Sequence, residues 1–122
     1  MIVIDYQDRR PIYEQIVEKF QVLILNGVLE ADEQMPSVRK LAMDLSINPN
    51  TIQKAYTMLE QLGYIYPVKG RGAFVAKRDT LLHQKKDMYW KEYSNLIQKG
   101  REIGISKEEF LEKMDAFWEV DL

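Results

Sequence analysis

Two helix-start signals in close succession, followed by two β-prone runs around a pair of glycines, constrain this chain more than any other feature. All of them fall between Gln34 and Ala76, in QMPSVRKLAMDLSINPNTIQKAYTMLEQLGYIYPVKGRGAFVA. Pro36 and Ser37 form the first signal, because a serine hydroxyl accepts hydrogen bonds from the backbone N–H groups that an emerging helix leaves unpaired. Val38, Leu41, Ala42 and Leu45 then line one helical face, and Ser46 and Ile47 make a turn in which Ile47 plugs the angle between two helices. Asn48 and Pro49 give the second signal, an amide cap followed by a residue preset to helical φ. In the helix that follows, Ile52, Ala55, Leu59 and Leu62 share one stripe, while Asn50, Thr51, Gln53, Lys54 and Thr57 point elsewhere until Gly63 ends it. Tyr64, Ile65 and Tyr66 pair with Ala73, Phe74 and Val75 across the span Pro67 to Gly72, where Gly70 and Gly72 free the tip and Arg71 protrudes. Helix, turn, helix and hairpin in this order predict a winged helix-turn-helix, mainly α with a small β-hairpin wing.

Charge falls where that architecture would use it. Gln34 to Arg78 holds Arg39, Lys40, Lys54, Lys69, Arg71, Lys77 and Arg78 against only Asp44 and Glu60, in a chain whose formal net charge is −2. Such a concentrated basic segment suits a phosphate backbone. Residues 79–122 carry seven basic and ten acidic side chains, so they make a poor second contact with nucleic acid. The chain lacks cysteine, which excludes disulfides, thiolate metal sites and a cysteine nucleophile. No apolar run approaches the roughly 20 residues of a membrane span, and MIVIDYQDRR lacks the basic-then-apolar order of a secretory signal. The expected location is the cytoplasm, without membrane association.

Two further segments flank the central one. Ile2, Val3 and Ile4 make a brief β-prone start, and Pro11 opens a helix in which Ile12, Ile16, Phe20, Leu23 and Ile24 recur until Asn26 and Gly27 stop it. After Arg78 the pattern turns helical again, with Leu81, Leu82, Met88, Tyr89, Tyr93, Leu96 and Ile97 on a broad face and Gly100 and Gly104 bracketing a break. Ser106 and Glu109 have capping-box spacing, and Phe110, Leu111, Met114, Phe117 and Trp118 repeat along a final helix that needs a partner. The expected organisation is a DNA-binding domain over residues 1–78 and a two-helix dimerisation tail over residues 79–122, with Phe110, Met114, Phe117 and Trp118 at the dimer seam.

Pro36-Ser37-Val38-Arg39, Asn48-Pro49-Asn50-Thr51 and Gly70-Arg71-Gly72-Ala73-Phe74-Val75, in that order over roughly residues 10–76, resemble the DNA-binding domain of the GntR family of bacterial transcriptional regulators. The short tail is similar to the YtrA subfamily, whose two C-terminal helices serve dimerisation and leave no room for a large effector domain. The resemblance implies that Arg39 grips backbone and neighbouring bases, that Asn48, Asn50, Thr51 and Gln53 meet DNA from the recognition helix, and that Lys69, Gly70 and Arg71 form the wing tip. Lys54 joins them as a phosphate contact. Pro49 and Gln53 stand where some relatives have arginine, and Lys40 where many have a capping glutamate, which adds positive charge at the cost of half a capping box.

The function expected is therefore sequence-specific regulation of transcription, as a repressor bound to a pseudo-palindromic operator as a homodimer. Two other readings compete: a ligand- or metal-sensing module whose tail pocket controls DNA binding, and a winged-helix protein-interaction module without DNA. His83 is the only histidine, and no Ser/His/Asp arrangement, Walker loop or catalytic carboxylate pair occurs, so neither an enzyme nor a cofactor is expected. The sequence leaves any small-molecule effector unidentified.

Overall fold

In a computed structural model, which describes residues 2–120, the chain forms two compact units, Met1–His83 and Gln84–Leu122. The element order is α1 (Ile12–Leu25), α2 (Val38–Leu45), α3 (Pro49–Gln61), β1 (Ile65–Val68), β2 (Gly72–Val75), α4 (Arg78–Glu102) and α5 (Lys107–Trp118). This is the expected winged helix-turn-helix followed by two helices.

The core of the first unit lies where α1 crosses α3. Ile16, Phe20 and Ile24 of α1 are buried with Ile52, Ala55, Tyr56 and Leu59 of α3, and Leu41, Ile65, Val75 and Leu81 close around them. Phe20 and Tyr56 meet edge to face, with ring centroids 6.0 Å apart, an arrangement favoured by the ring quadrupoles. Leu62, expected on the α3 stripe, is exposed; Tyr56 fills that role instead and Tyr64 closes the end of the helix from just beyond it. Leu81 is buried in the same core, so the compact unit extends through the first turn of α4, past the expected boundary at Arg78.

Three local expectations need correction. Ile2 to Ile4 form no strand: Ile2 is buried, and the segment is fastened by the buried Gln15, whose Oε1 accepts from the Asp5 N–H at 2.9 Å while its Nε2 donates to the Asp5 carbonyl at 3.0 Å. A side chain thus supplies the partner that a neighbouring strand would have given. The hairpin is longer than predicted, because Pro67 and Val68 belong to β1, opposite Ala73 and Gly72, and only Lys69, Gly70 and Arg71 turn. Proline is tolerated there because its missing N–H faces the outer edge. Helix α4 also runs straight through Gly100, so the break starts only after Glu102. A Cβ on Gly100 would lie 2.5 Å from Cζ of Phe110, so glycine is what lets α5 approach α4.

The corner between α2 and α3 ends in a hydrogen-bonded cap: Ile47 N–H donates to the Ala42 carbonyl and Ser46 N–H to that of Met43, which puts Ser46 at φ 55°. Gly27, Gly63 and Gly104 hold the equivalent positions after α1, α3 and α4. Among these helix ends Ser46 alone carries a side chain in that conformation, at about 1–2 kcal/mol of left-handed strain. Glycine there would relieve the strain and add roughly 0.4–1 kcal/mol of unfolded-chain entropy. Ser46→Gly should therefore raise the thermal midpoint by about 2–4 °C in scanning calorimetry; a lowered midpoint would mean that the serine side chain stabilises the corner.

Candidate nucleic-acid interface

Helix α3 is capped so that its first turn faces outward. Asn48 Oδ1 accepts from the Asn50 N–H at 2.8 Å, and Pro49 has no N–H to satisfy. Asn48 and Asn50 are exposed and Thr51 is half-buried beside them. One turn on, Gln53 donates from Nε2 to Thr57 Oγ1 at 3.3 Å, which holds its amide along the exposed face. Lys54 stands apart: its ammonium lies 4.1 Å from the centre of the Tyr13 ring on α1, a cation–π contact on the opposite flank.

Helix α2 is capped by Ser37, whose Oγ accepts from the Lys40 N–H at 3.1 Å. Lysine at that position cannot return the bond, so the cap is one-sided. Arg39, in the first turn of α2, is exposed. The wing tip is closed by the Arg71 N–H donating to the Val68 carbonyl at 2.9 Å, and Gly70 takes φ 77°, which leaves Lys69 and Arg71 exposed on either side. Between wing and helices runs an open groove of about 540 Å³, lined by Ser37, Gln53, Tyr56, Lys69 and Arg71 among others.

Two tyrosine hydroxyls brace the elements around this groove. Tyr56 donates its hydroxyl to the Pro36 carbonyl at 2.7 Å, tying α3 to the entry of α2. Burial pushes this hydroxyl well above the usual tyrosine range, so it stays a donor. Tyr66 donates to Asp32 Oδ1 at 2.6 Å and stacks on Phe74, which stiffens the base of the wing; that hydrogen bond raises the Tyr66 hydroxyl above its ordinary value.

The cations of the groove and of the α2 start are uncompensated. Among the described residues Arg10 pairs with Asp8 and Glu18, while Arg39, Lys69 and Arg71 engage no carboxylate. Their charge is available to an external anion. The structure thus gathers Gln53, Lys69, Gly70 and Arg71 along one groove and leaves Arg39, Asn48, Asn50 and Thr51 exposed or half-buried at the helix starts. Phe110, Met114, Phe117 and Trp118 lie on α5 in the second unit, where Phe117 and Trp118 are 76% and 84% exposed and Phe110 packs against Gly100. A separate cavity of about 560 Å³ in that unit is lined by Tyr93, Ile97, Arg101, Phe110 and Leu111.

A capped helix with a polar leading turn, a second helix set across it and a basic hairpin define the winged helix-turn-helix class of regulators. Comparison with known proteins narrows this. The profile described as "Bacterial regulatory proteins, gntR family" matches residues 12–75, and the chain belongs to that family of transcriptional regulators. It is 37% identical to the HTH-type transcriptional repressor YtrA of Bacillus subtilis (strain 168) over 114 residues, covering 92% of this chain and 88% of the relative. Among solved structures it is similar to YtrA from Sulfolobus acidocaldarius, a GntR-family transcription factor, with a TM-score of 0.58 at 32% identity, covering 76% of this chain and 97% of the other. It is also similar to AraR(DBD) in complex with operator ORE1, with a TM-score of 0.54 at 29% identity, covering 62% of this chain and 93% of the other.

The residues that hold the site together carry no local signal in the sequence. Tyr56 sits among core residues in the helical pattern, so nothing in its spacing signals the bond to Pro36. Gln34 and Tyr13 act across the fold and have no local signature. Tyr56→Phe should lower stability by about 1–2 kcal/mol, because it leaves the Pro36 carbonyl without its partner. It should also change the alkaline limb. The unfolded chain gives up this proton near pH 10, and the folded chain only at higher pH, so the contribution is complete below pH 10 and is lost as pH rises above it. Urea unfolding from pH 7 to 11 should show a shallower alkaline decline in the variant than in the parent.

Proposed function

We propose that this chain represses transcription in the cytoplasm by binding a pseudo-palindromic operator as a homodimer. The observation that carries the DNA-binding face is the exposed polar first turn of α3 beside a groove whose cations have no carboxylate partners. The N-terminal end of α3 enters the major groove, with Asn50, Thr51 and Gln53 near base edges and Asn48 at its mouth. Arg39 positions the protein on the backbone, and Lys69, Gly70 and Arg71 grip the flank. Lys54, stacked on Tyr13, contributes charge from the side of α3 and reaches phosphate only by leaving the ring. The likeness to AraR(DBD) with its operator supports the DNA contact, and the likeness to the B. subtilis repressor YtrA supports the direction of regulation.

Titration against the gene's own promoter and a scrambled duplex at two salt concentrations tests the reading. Affinity should fall steeply with salt, by a slope of about −0.9 in log K per neutralised phosphate. Thr51→Ala or Gln53→Ala should cost roughly 1–3 kcal/mol on the preferred site and relax base discrimination there. Equal binding of both duplexes overturns the proposal.

Homodimerisation rests on the second unit. Among its described residues no side chain is buried, while Met88, Tyr89, Trp90, Leu96, Met114 and Trp118 are exposed. So much apolar surface is characteristic of an interface. Pairing two copies through Phe110, Met114, Phe117 and Trp118 makes the second half-site contact intramolecular, which raises affinity by about 10²–10⁴. A chain ending at His83, which keeps Leu81 in the core, should be monomeric by light scattering and should bind a palindromic duplex that much more weakly, with the same half-site preference. A monomeric full-length chain at micromolar concentration would overturn the role of the tail.

A further inference from the structure

The three residues that precede the Ser37 cap of α2 each hold a different part of the groove. Pro36 offers its carbonyl to Tyr56 of the recognition helix at 2.7 Å. Met35, buried, donates its N–H to the Ala73 carbonyl of β2 at 2.8 Å. Gln34 bridges to Phe74, and its side chain reaches the wing tip, where Nε2 donates to the Arg71 carbonyl at 2.8 Å. That amide also lies 3.4 Å from where a Cβ on Gly72 would stand, at a residue with φ 101°. The positive φ favours glycine there, while 3.4 Å is ordinary contact distance for the amide.

We infer that Gln34 is a positioning residue for DNA binding, fixing the Arg71 end of the wing at a set distance from the recognition helix. The inference rests on the reading of the wing as a DNA contact. A three-residue turn on a two-stranded hairpin is ordinarily mobile at its tip, and a side chain held in advance spares the ordering cost at the moment of binding. The backbone bond is what matters: Gln34 holds the Arg71 carbonyl and leaves the guanidinium free to reach phosphate. Gln34 is exposed, so replacing its side chain removes nothing from the buried core.

The test uses Gln34→Met, which keeps the length of the side chain and removes the donor, with Arg71→Ala and the double variant, all in the full chain. Three readouts are taken: affinity for promoter duplex, its salt slope, and the amide {¹H}–¹⁵N NOE of Gly70, Arg71 and Gly72 in the free protein. Arg71→Ala should lower the slope by about one contact. Gln34→Met should lower the NOE at the tip, weaken binding to all sequences by a similar factor without changing base preference, and cost little more once Arg71 is already alanine. Independent, multiplying losses, or an unchanged NOE in Gln34→Met, would overturn the role of Gln34. If Arg71→Ala leaves affinity and slope unchanged, the wing is no DNA contact and Gln34 has no positioning role in binding, even where the NOE shows that it orders the tip.

Discussion

The hydrogen bond from Tyr56 to the Pro36 carbonyl joins the two halves of this molecule's first unit, one built by burial and the other by polar contacts. Its ring lies in the core against Phe20, so helix α3 cannot rotate without opening the α1 contact. Its hydroxyl ends on the residue that launches α2, and the adjacent backbone groups run on into β2 and the wing. One side chain thereby orients the recognition helix about its own axis and sets where the neighbouring elements begin. A buried polar tip of this kind is tolerated only because its partner is in place.

Given that anchor, α3 divides its labour by angle. Ile52, Ala55, Tyr56 and Leu59 turn inward, and the polar residues of the first turns remain outside at no cost in burial. The cap reinforces the division, because Asn48 satisfies a backbone N–H locally and Pro49 offers none, so the turn facing the partner begins without unmet donors of its own. The wing adds charge that the fold does not neutralise. In a chain whose overall balance is slightly acidic, this sets a local field that draws polyanions to one face and leaves the rest of the surface indifferent to them.

Most of the framework was legible because it is written in short-range terms. Ser37, Asn48 and Ser106 fix helix starts through bonds to residues two or three positions away and Pro49 through its preset φ, and the structure has each of them as a cap or first residue. What escaped depends on long separations or on context. Gln34 and Arg71 are brought together by the wing, and Lys54 finds Tyr13 only after α1 and α3 pack. Pro67, expected in the connection because the β-prone run ends at Tyr66, belongs to β1; its place at the rim of the hairpin follows from pairing that no local window contains. Gly100, expected with Gly104 to bracket a break, is explained by the ring it admits. The exposed face of α5 was visible as a pattern, though a pattern alone does not say what covers it.

Pro67 has a further consequence. The outer side of β2 is occupied, since Val75 and Ala73 bond to Glu33 and Met35, so β1 carries the hairpin's remaining open rim. On that rim the alternation of the ladder turns the backbone groups of residues 65 and 67 outward, and at the second of these the chain has no hydrogen to offer. A stray strand docking there would find its hydrogen-bond ladder interrupted almost as soon as it started. When many copies crowd together, whether during synthesis or on neighbouring binding sites, the imino acid works as a guard against amyloid-like stacking of wings, and it does so without adding bulk or charge to the surface.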